Sequence, residues 1–279
     1  MMPPLYLVPL DGSLRTLAAL SVARSLGGIE SGTVLAMHVT DEALAASEMT
    51  RRLGLDREEL RGTVVEVHPG NPAEAILRVA RERQAAVLVM CTHTAKPRAV
   101  GFLGATAAAV LRDAPCPVVI VPTDLDVASW SLENVLLPHD GTPTTSAAIG
   151  RATELARKAG ANLHLLHVAA PGGASAEPGS FSSPRYVDQR QHEWPAWAGE
   201  FLERFVVSCP MDVSLLRLSL ARGDPGSEIV RFATVHPVDL IVLAWRGASD
   251  PGRARVVREV LRGAPCPVMV LRTEPPISP

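Results

Sequence analysis

A chain of 279 residues has room for two ordinary domains, and its 47% hydrophobic content is enough to fill two cores. With 27 basic against 29 acidic side chains, no field of one sign recommends a nucleic-acid or membrane partner. The sequence holds no bilayer-length apolar run and no charged n-region followed by one, so neither a membrane span nor a signal peptide is expected.

The first half alternates two kinds of pattern. Leu5–Pro9 is a short apolar run that reads as a buried strand. Ser13 is placed to cap a helix carrying Leu14, Ala18, Val22 and Leu26 at i+4 spacing, with Gly27-Gly28 as its end. Thr33–Val39 is a second apolar strand, and Asp41–Leu60 reads as a helix broken near Gly54. Thr63–Val67 is a third strand. Pro72, after Gly70-Asn71, suits the first position of a helix whose core face is Ala73, Ile76, Leu77 and Ala80. Val87–Met90 is a fourth strand, Ala105–Arg112 a helix and Pro117–Val121 a fifth strand. Strands apolar throughout, linked by helices, belong in a parallel sheet covered on both faces, which right-handed crossovers make doubly wound.

The pattern then returns. Leu7-Val8-Pro9-Leu10-Asp11-Gly12-Ser13 recurs as Leu136-Leu137-Pro138-His139-Asp140-Gly141-Thr142, and Ala114-Pro115-Cys116-Pro117-Val118 as Ala264-Pro265-Cys266-Pro267-Val268. Repeats of this length mean two domains of one fold. Asp11 and His38 recur 129 positions on, as Asp140 and His167. Gly70 recurs 153 positions on, as Gly223, so 24 residues are inserted between the second and third strands of the second half. Pro115 recurs 150 positions on, as Pro265, so three are lost before the last strand. The expected domains are 1–124 and 131–273, with a linker over Thr123–Ser131, an insertion at about 171–195 and a disordered tail at 274–279. The insertion contains the Gly/Pro/Ser-rich stretch Pro171–Pro184, expected as a loop. After that stretch Trp194, Trp197, Ala198, Phe201 and Phe205 fall at helical spacing, a stripe for a core or an inter-domain surface.

In an open parallel sheet, ligands bind beyond the carboxyl ends of the strands where strand order reverses. Asp11 and Asp140 lie there. A carboxylate at that place can accept hydrogen bonds from a ribose or an adenine amino group, and it can equally close an Asp-Gly-Ser/Thr turn. Catalytic patterns are missing: the sequence has no GxSxG elbow, GxxxxGK[ST] loop or HExxH helix. Cys91 and His93 form one thiol–imidazole spacing, with no oxyanion device beside it. Cys91, Cys116, Cys209 and Cys266 make no CxxC or His/Cys cluster; buried, inert thiols, no metal site and a reduced, cytoplasmic compartment are expected.

The halves resemble universal stress protein domains, and the whole chain resembles a tandem universal stress protein. The residues that carry this are Val8-Pro9-Leu10-Asp11-Gly12-Ser13, Gly70-Asn71-Pro72-Ala73-Glu74, Val89-Met90-Cys91-Thr92-His93 and the run from Val110 to Val118. In the second half they are Leu137 to Thr142, Arg222-Gly223-Asp224-Pro225 and Val260 to Val268. The resemblance implies two tandem doubly wound five-stranded parallel α/β sandwiches, Rossmann-like, with strand order 3-2-1-4-5. It implies pairing of the two halves through their fifth strands, Pro117–Val121 and Pro267–Leu271, which as exposed apolar edges need cover. A further pairing of two chains into a homodimer is left open, and the protein partners are not identified by the residues. It also implies a role in stress survival, and ATP binding in many members.

Members that bind ATP resemble one another in a loop of Gly, two residues, Gly, nine residues, Gly, then Ser or Thr, whose backbone amides and hydroxyl cradle the phosphates. The matching positions here are Cys91, Thr94, Gly104 and Ala105, with Thr106 one residue on; in the second half they are Ala244, Gly247, Ala254 and Arg255, with Trp245-Arg246 inside the shortened loop. The candidate nucleotide residues are therefore Asp11, Val39, Thr94, Gly104, Ala105 and Thr106, with Asp140 in the second half; no catalytic residue is assigned. Two lost hydrogen bonds to a charged group, at about 1.5–3 kcal/mol each, remove roughly two to four decades of affinity. The expected function is a stress-response binding and regulatory module with weak or absent ATP binding; the alternative is an ATP-binding switch with slow hydrolysis in the first cleft. Arg255, Arg258 and Arg262 form a row that reads as a solvated helix face or, less simply, as an anion site.

Overall fold

The computed structural model describes residues 2–42, 44–55, 60, 62–92, 103–169, 180, 194–207, 215–246 and 251–273. The chain divides into two compact units, Met1–Ser131 and Leu132–Pro279.

Unit 1 is built on five strands: β1 (Leu5–Leu10), β2 (Thr33–Val39), β3 (Thr63–His68), β4 (Val87–Cys91) and β5 (Val118–Val121). They lie in the order β3-β2-β1-β4-β5, all parallel. Residues of β4 and β5 are buried throughout, whereas β3 at the edge is only partly covered and leaves Val64 59% exposed. The order reverses at β1, because β2 and β4 flank it. Four helices form the crossovers: α1 (Leu17–Ile29), α2 (Ala46–Arg52), α3 (Pro72–Glu82) and α4 (Ala105–Asp113).

Helix α3 starts where the sequence places it. Pro72 occupies its first turn and the Asn71 side chain accepts from the Ala73 and Glu74 amides. Its buried face is wider than expected: Ala75 and Val79 join Ile76, Leu77 and Ala80, while Ala73 is only half-buried. The Asp41–Leu60 region holds the short α2, and Gly54 follows it with φ +65°. Helix α1 departs from expectation at both ends. Ser13 makes no side-chain cap, and a single 3-10 turn over Leu14–Thr16 precedes the helix. Gly27 and Gly28 lie inside α1, which runs on to Ile29. The turn that follows closes through Gly32, whose amide donates to the Gly27 carbonyl at 2.7 Å.

Unit 2 repeats the plan with β6 (Asn134–Pro138), β7 (Asn162–Ala169), β8 (Leu216–Arg222), β9 (Leu240–Trp245) and β10 (Val268–Arg272) in the parallel order β8-β7-β6-β9-β10. Its helices are α5 (Pro143–Ser146), α6 (Ile149–Ala159), α7 (Trp194–Val207), α8 (Pro225–Val235) and α9 (Pro251–Gly263). Helix α7 carries the aromatic stripe, and Trp197, Phe201 and Phe205 are buried in the core of unit 2; the Trp194 side chain lies outside what is described. The loop Pro171–Pro184, apart from Ser180, and the tail 274–279 lie outside the described residues. Among the described residues no helix is long and apolar enough to cross a membrane.

Two neighbouring glycines separate packing from propensity. A Cβ on Gly32 would sit 2.6 Å from the Pro4 carbonyl oxygen, which the sheet holds in place, whereas one on Gly28 would meet nothing within 4 Å. Gly32→Ala is expected to destabilise unit 1 by about 1–3 kcal/mol through overpacking. Gly28→Ala is expected to be neutral or to stabilise it by up to about 1 kcal/mol, since Gly is costly inside a helix. Urea denaturation of the two variants checks both signs.

Candidate functional site

The carboxyl end of β1 is shaped by one side chain. Asp11 Oδ1 accepts from the Ser13 amide at 2.9 Å, the Ser13 hydroxyl at 2.7 Å and the Thr16 hydroxyl at 3.3 Å. This explains why Ser13 does not cap the helix: its hydroxyl is turned back onto the carboxylate. Gly12 between them has φ +88°, a conformation that favours glycine. The same device closes β6. Asp140 Oδ1 accepts from the Thr142 amide at 3.0 Å and from the Thr142 and Thr145 hydroxyls at 2.6 and 2.8 Å, and Gly141 has φ +84°. The turn reading of both aspartates is therefore realised. In unit 1 the second oxygen, Asp11 Oδ2, receives no hydrogen bond among the described residues and remains available.

Beyond Asp11 lies a cleft of about 240 Å³. Its floor is the carboxyl ends of β1, β2 and β4, with Leu10, Met37, Val39 and Met90 among the lining residues. Pro72 and Ile76 of α3 form one wall; Gly104, Thr106 and Ala107 at the start of α4 form the other. The fold thus brings Asp11, Val39, Gly104 and Thr106 to one cavity. Ala105 does not line it, Thr94 lies outside the described residues, and Asp140 belongs to unit 2.

His38 also lines the cleft, a position that its recurrence as His167 could have flagged. Its Nδ1 lies 2.8 Å from the Leu10 carbonyl oxygen, so Nδ1 carries the proton and donates; in the neutral ring Nε2 is then an acceptor. Cys91 lines the cleft as a thiol. Burial pushes its pKa up to about 12, and its Sγ donates to the Arg15 carbonyl at 3.4 Å. That burial disfavours the thiolate, and His93 lies outside the described residues. Cys116 and Cys266 are likewise pushed up to about 12 by burial. Among the described residues no group of three or more His, Cys, Asp or Glu could hold a metal ion.

Unit 2 has different chemistry at the matching place. Trp245 stands where unit 1 has Thr92, and Arg255 where it has Ala105. Arg255 is not held out for an anion. Its Nη2 donates to Asp224 Oδ2 at 2.6 Å, and its Nη1 reaches Glu259 Oε2 at 3.4 Å. Asp224 is the N-cap of α8, and Arg255 beside it holds its carboxyl down at about 2. Ser227 Oγ lies 2.6 Å from Glu259 Oε1, and a Cβ on Gly226 would come within 2.4 Å of Glu259 Oε2. The first turns of α8 and the body of α9 are therefore tied directly together. Arg258 donates from Nε to the Ala254 carbonyl at 3.0 Å, so Arg255 and Arg258 of the row are both committed within the unit.

On the other side of the unit 2 sheet ends, α7 covers the histidine that repeats His38. The His167 ring lies 4.4 Å from Trp197 and 5.6 Å from Phe201, and Phe201 meets His139 edge-on at 5.4 Å. His167 Nδ1 lies 3.0 Å from the His139 carbonyl oxygen, while Nε2 is buried with no hydrogen-bond partner among the described residues.

A duplicated, doubly wound parallel sheet with a cleft where strand order reverses defines a tandem α/β protein. The universal stress protein family model matches residues 6–122 and again residues 131–272, and the chain belongs to that family. Among solved structures, it is similar to a functionally unknown protein of Pseudomonas aeruginosa PAO1, at 19% identity and TM-score 0.69 over 97% of this chain and 92% of that one. It is also similar to a universal stress protein of Archaeoglobus fulgidus DSM 4304, at 18% identity and TM-score 0.64 over 98% and 99% of the two chains. No curated protein matches the chain. At these identities the structures show the shared fold.

Burial holds the pKa values of His167 and His164 below the ordinary 6.5; Arg217 and His236 add to the effect at His164. The unfolded chain takes up these protons as pH falls through about 6.5, while folded unit 2 does not until lower pH. The unfolded state then binds more protons, so stability falls as pH drops through that window. Tryptophan-monitored urea midpoints should be lower at pH 5.5 than at pH 7.5. His167→Asn, which can keep a donor for the His139 carbonyl, should shrink the difference.

Proposed function

We propose that this tandem universal stress protein is a non-catalytic binding and regulatory module of the cytoplasm. In this reading the unit 1 cleft is the ligand site and holds ATP weakly, while unit 2 has lost the equivalent site. The observation that carries it is the contrast at the strand ends: a cleft with a free carboxylate oxygen beyond β1, against Trp245 at the place of Thr92 and an ion-paired Arg255 at the place of Ala105.

Tested against ATP, the described residues fit one part of it. Asp11 Oδ2 can accept from a ribose hydroxyl or the adenine amino group, and Val39 and Ile76 offer apolar surface to the base. They fit the triphosphate poorly. No Lys or Arg is among the described lining residues, Asn71 covers the Ala73 and Glu74 amides of α3, and the uncapped first-turn amides of α4 are what is left to meet a phosphate. Calorimetric titration of the full chain with ATP and magnesium should give one site of near-millimolar affinity, weakened further by Asp11→Ala, and no phosphate release. Micromolar binding abolished by Asp11→Ala, with slow phosphate release, would instead make the chain an ATP-dependent switch.

The family resemblance supports a second proposal, that the two units pair through their fifth strands. Such pairing should protect amides of Val118–Val121 and Val268–Leu271 from hydrogen exchange as strongly as those of the central strands β1 and β6. Fast exchange at alternate amides, as at an open sheet edge, would count against it.

A further inference from the structure

We infer that unit 2 carries a proton-operated latch, in which protonation of the His167 ring releases α7 from the carboxyl ends of β6 and β7. The inference goes beyond the reading of the unit 1 cleft and does not depend on it.

The contact that holds α7 is built from rings. Trp197 stacks on Phe201 at 4.7 Å, and the two meet His167 at 4.4 and 5.6 Å. Phe201 and Phe205 meet His139 edge-on at 5.4 and 6.1 Å. Two imidazoles, one near the end of β7 and one just past β6, therefore lie within an otherwise aromatic seam. The His139 ring is engaged there by the Gly141 amide, which donates to Nδ1 at 3.0 Å. Unit 1 is built differently: the helix after β2, α2, brings a methionine, Met49, to the turn at Gly12, and His38 stays half-buried.

The neutral His167 ring is the form that fits the seam. Its Nδ1 lies 3.0 Å from the His139 carbonyl oxygen and so carries the donated proton. Nε2 is then a buried lone pair with no hydrogen-bond partner among the described residues. A proton added there makes a buried cation whose N–H has no acceptor, a costly arrangement. Few charged or titratable groups surround the ring among the described residues. Asp140, in the turn after β6, attracts the cation, and His139 is the other titratable ring. Helix α7 turns Trp197 and Phe201 inward and keeps Glu200, Glu203 and Arg204 exposed. Strand β8 sets Leu220 beside His167 and keeps Arg222 exposed. His164 of the same strand faces the other way, toward Phe232 of α8. The aromatic faces and the Asp140 carboxylate offset part of the cost, but burial outweighs them and holds the His167 pKa below the ordinary 6.5.

A ring released from α7 meets water and titrates at about 6.5. The released form then binds the proton more readily, so release is favoured as pH falls through that value. With the docked ring neutral throughout, the release equilibrium rises by up to about tenfold between pH 7.5 and 5.5. Release bares Trp197, Phe201 and Phe205, so acid converts a closed face of unit 2 into an apolar one.

The test is hydrogen exchange of the full chain at pH 7.5 and 5.5, with rates corrected for the intrinsic pH dependence. Amides of α7 should be less protected than those of β6 and β7, and their protection should fall several-fold, up to about tenfold, on acidification. In His167→Asn, which can keep a donor for the His139 carbonyl, the fall should shrink to within about twofold. Equal protection of α7 and the central strands at both pH values overturns the inference, because the helix would then leave only when the whole unit unfolds. A fall unchanged in His167→Asn also overturns it. The native chain gives an independent check by NMR: its His167 ring should titrate below the ordinary 6.5, and titration at that value with α7 still protected overturns the latch.

Discussion

One carboxylate oxygen in each unit, Oδ1 of Asp11 and of Asp140, gathers an amide and two hydroxyls and so fixes the passage from the first strand into the first helix. The first strand lies where strand order reverses, so this passage forms the rim of any cleft at the sheet ends. A glycine with positive φ lets the chain turn tightly enough for the carboxylate to reach the residue two positions on. The turn in unit 1 uses Oδ1, and Oδ2 receives no hydrogen bond among the described residues. The turn and the proposed ligand contact are therefore not rivals, since they would use different oxygens.

From that shared frame the units have moved apart. Unit 1 keeps small or flexible residues around its strand ends: Thr92, Gly104, Ala107 and Met90 line open space. Unit 2 places a tryptophan at the end of β9 and binds α8 to α9 through Asp224, Ser227, Arg255 and Glu259. Its insertion supplies α7, whose aromatic rings bury His167 to 1% exposure, where His38 in unit 1 remains half-buried. Duplication thus preserved the backbone device, while the side chains around it diverged.

Much of the fold was legible. Apolar runs marked the strands because a parallel sheet covered on both faces leaves them little polar surface, and Asn71-Pro72 marked a helix start because cap and φ preference agree. Local rules failed at particular residues. Gly27 was read as a stop, yet it lies inside α1, packed against the sheet, where a Cβ would make ordinary contact with Tyr6 and Val34 at 3.5 Å. Ser13 was read as a cap, but the carboxylate two residues earlier outcompeted the helix for its hydroxyl. The arginine row read first as a solvated helix face; that Arg255 pairs with Asp224, 31 residues earlier, lay beyond any local pattern.

The repeat, the order of elements, the family and the poverty of the phosphate loop were all written in residue order, because each depends on spacing and local chemistry. Which side chains share a cavity was not. Asp11, His38, Ile76 and Thr106 come from four separate elements, and only parallel pairing in the order β3-β2-β1-β4-β5 brings them to one end of the sheet. Whether an arginine is open or paired is likewise decided by partners distant in sequence, as Arg255 with Asp224 shows. Such pairings are set by the packing of whole elements, and no local pattern encodes them.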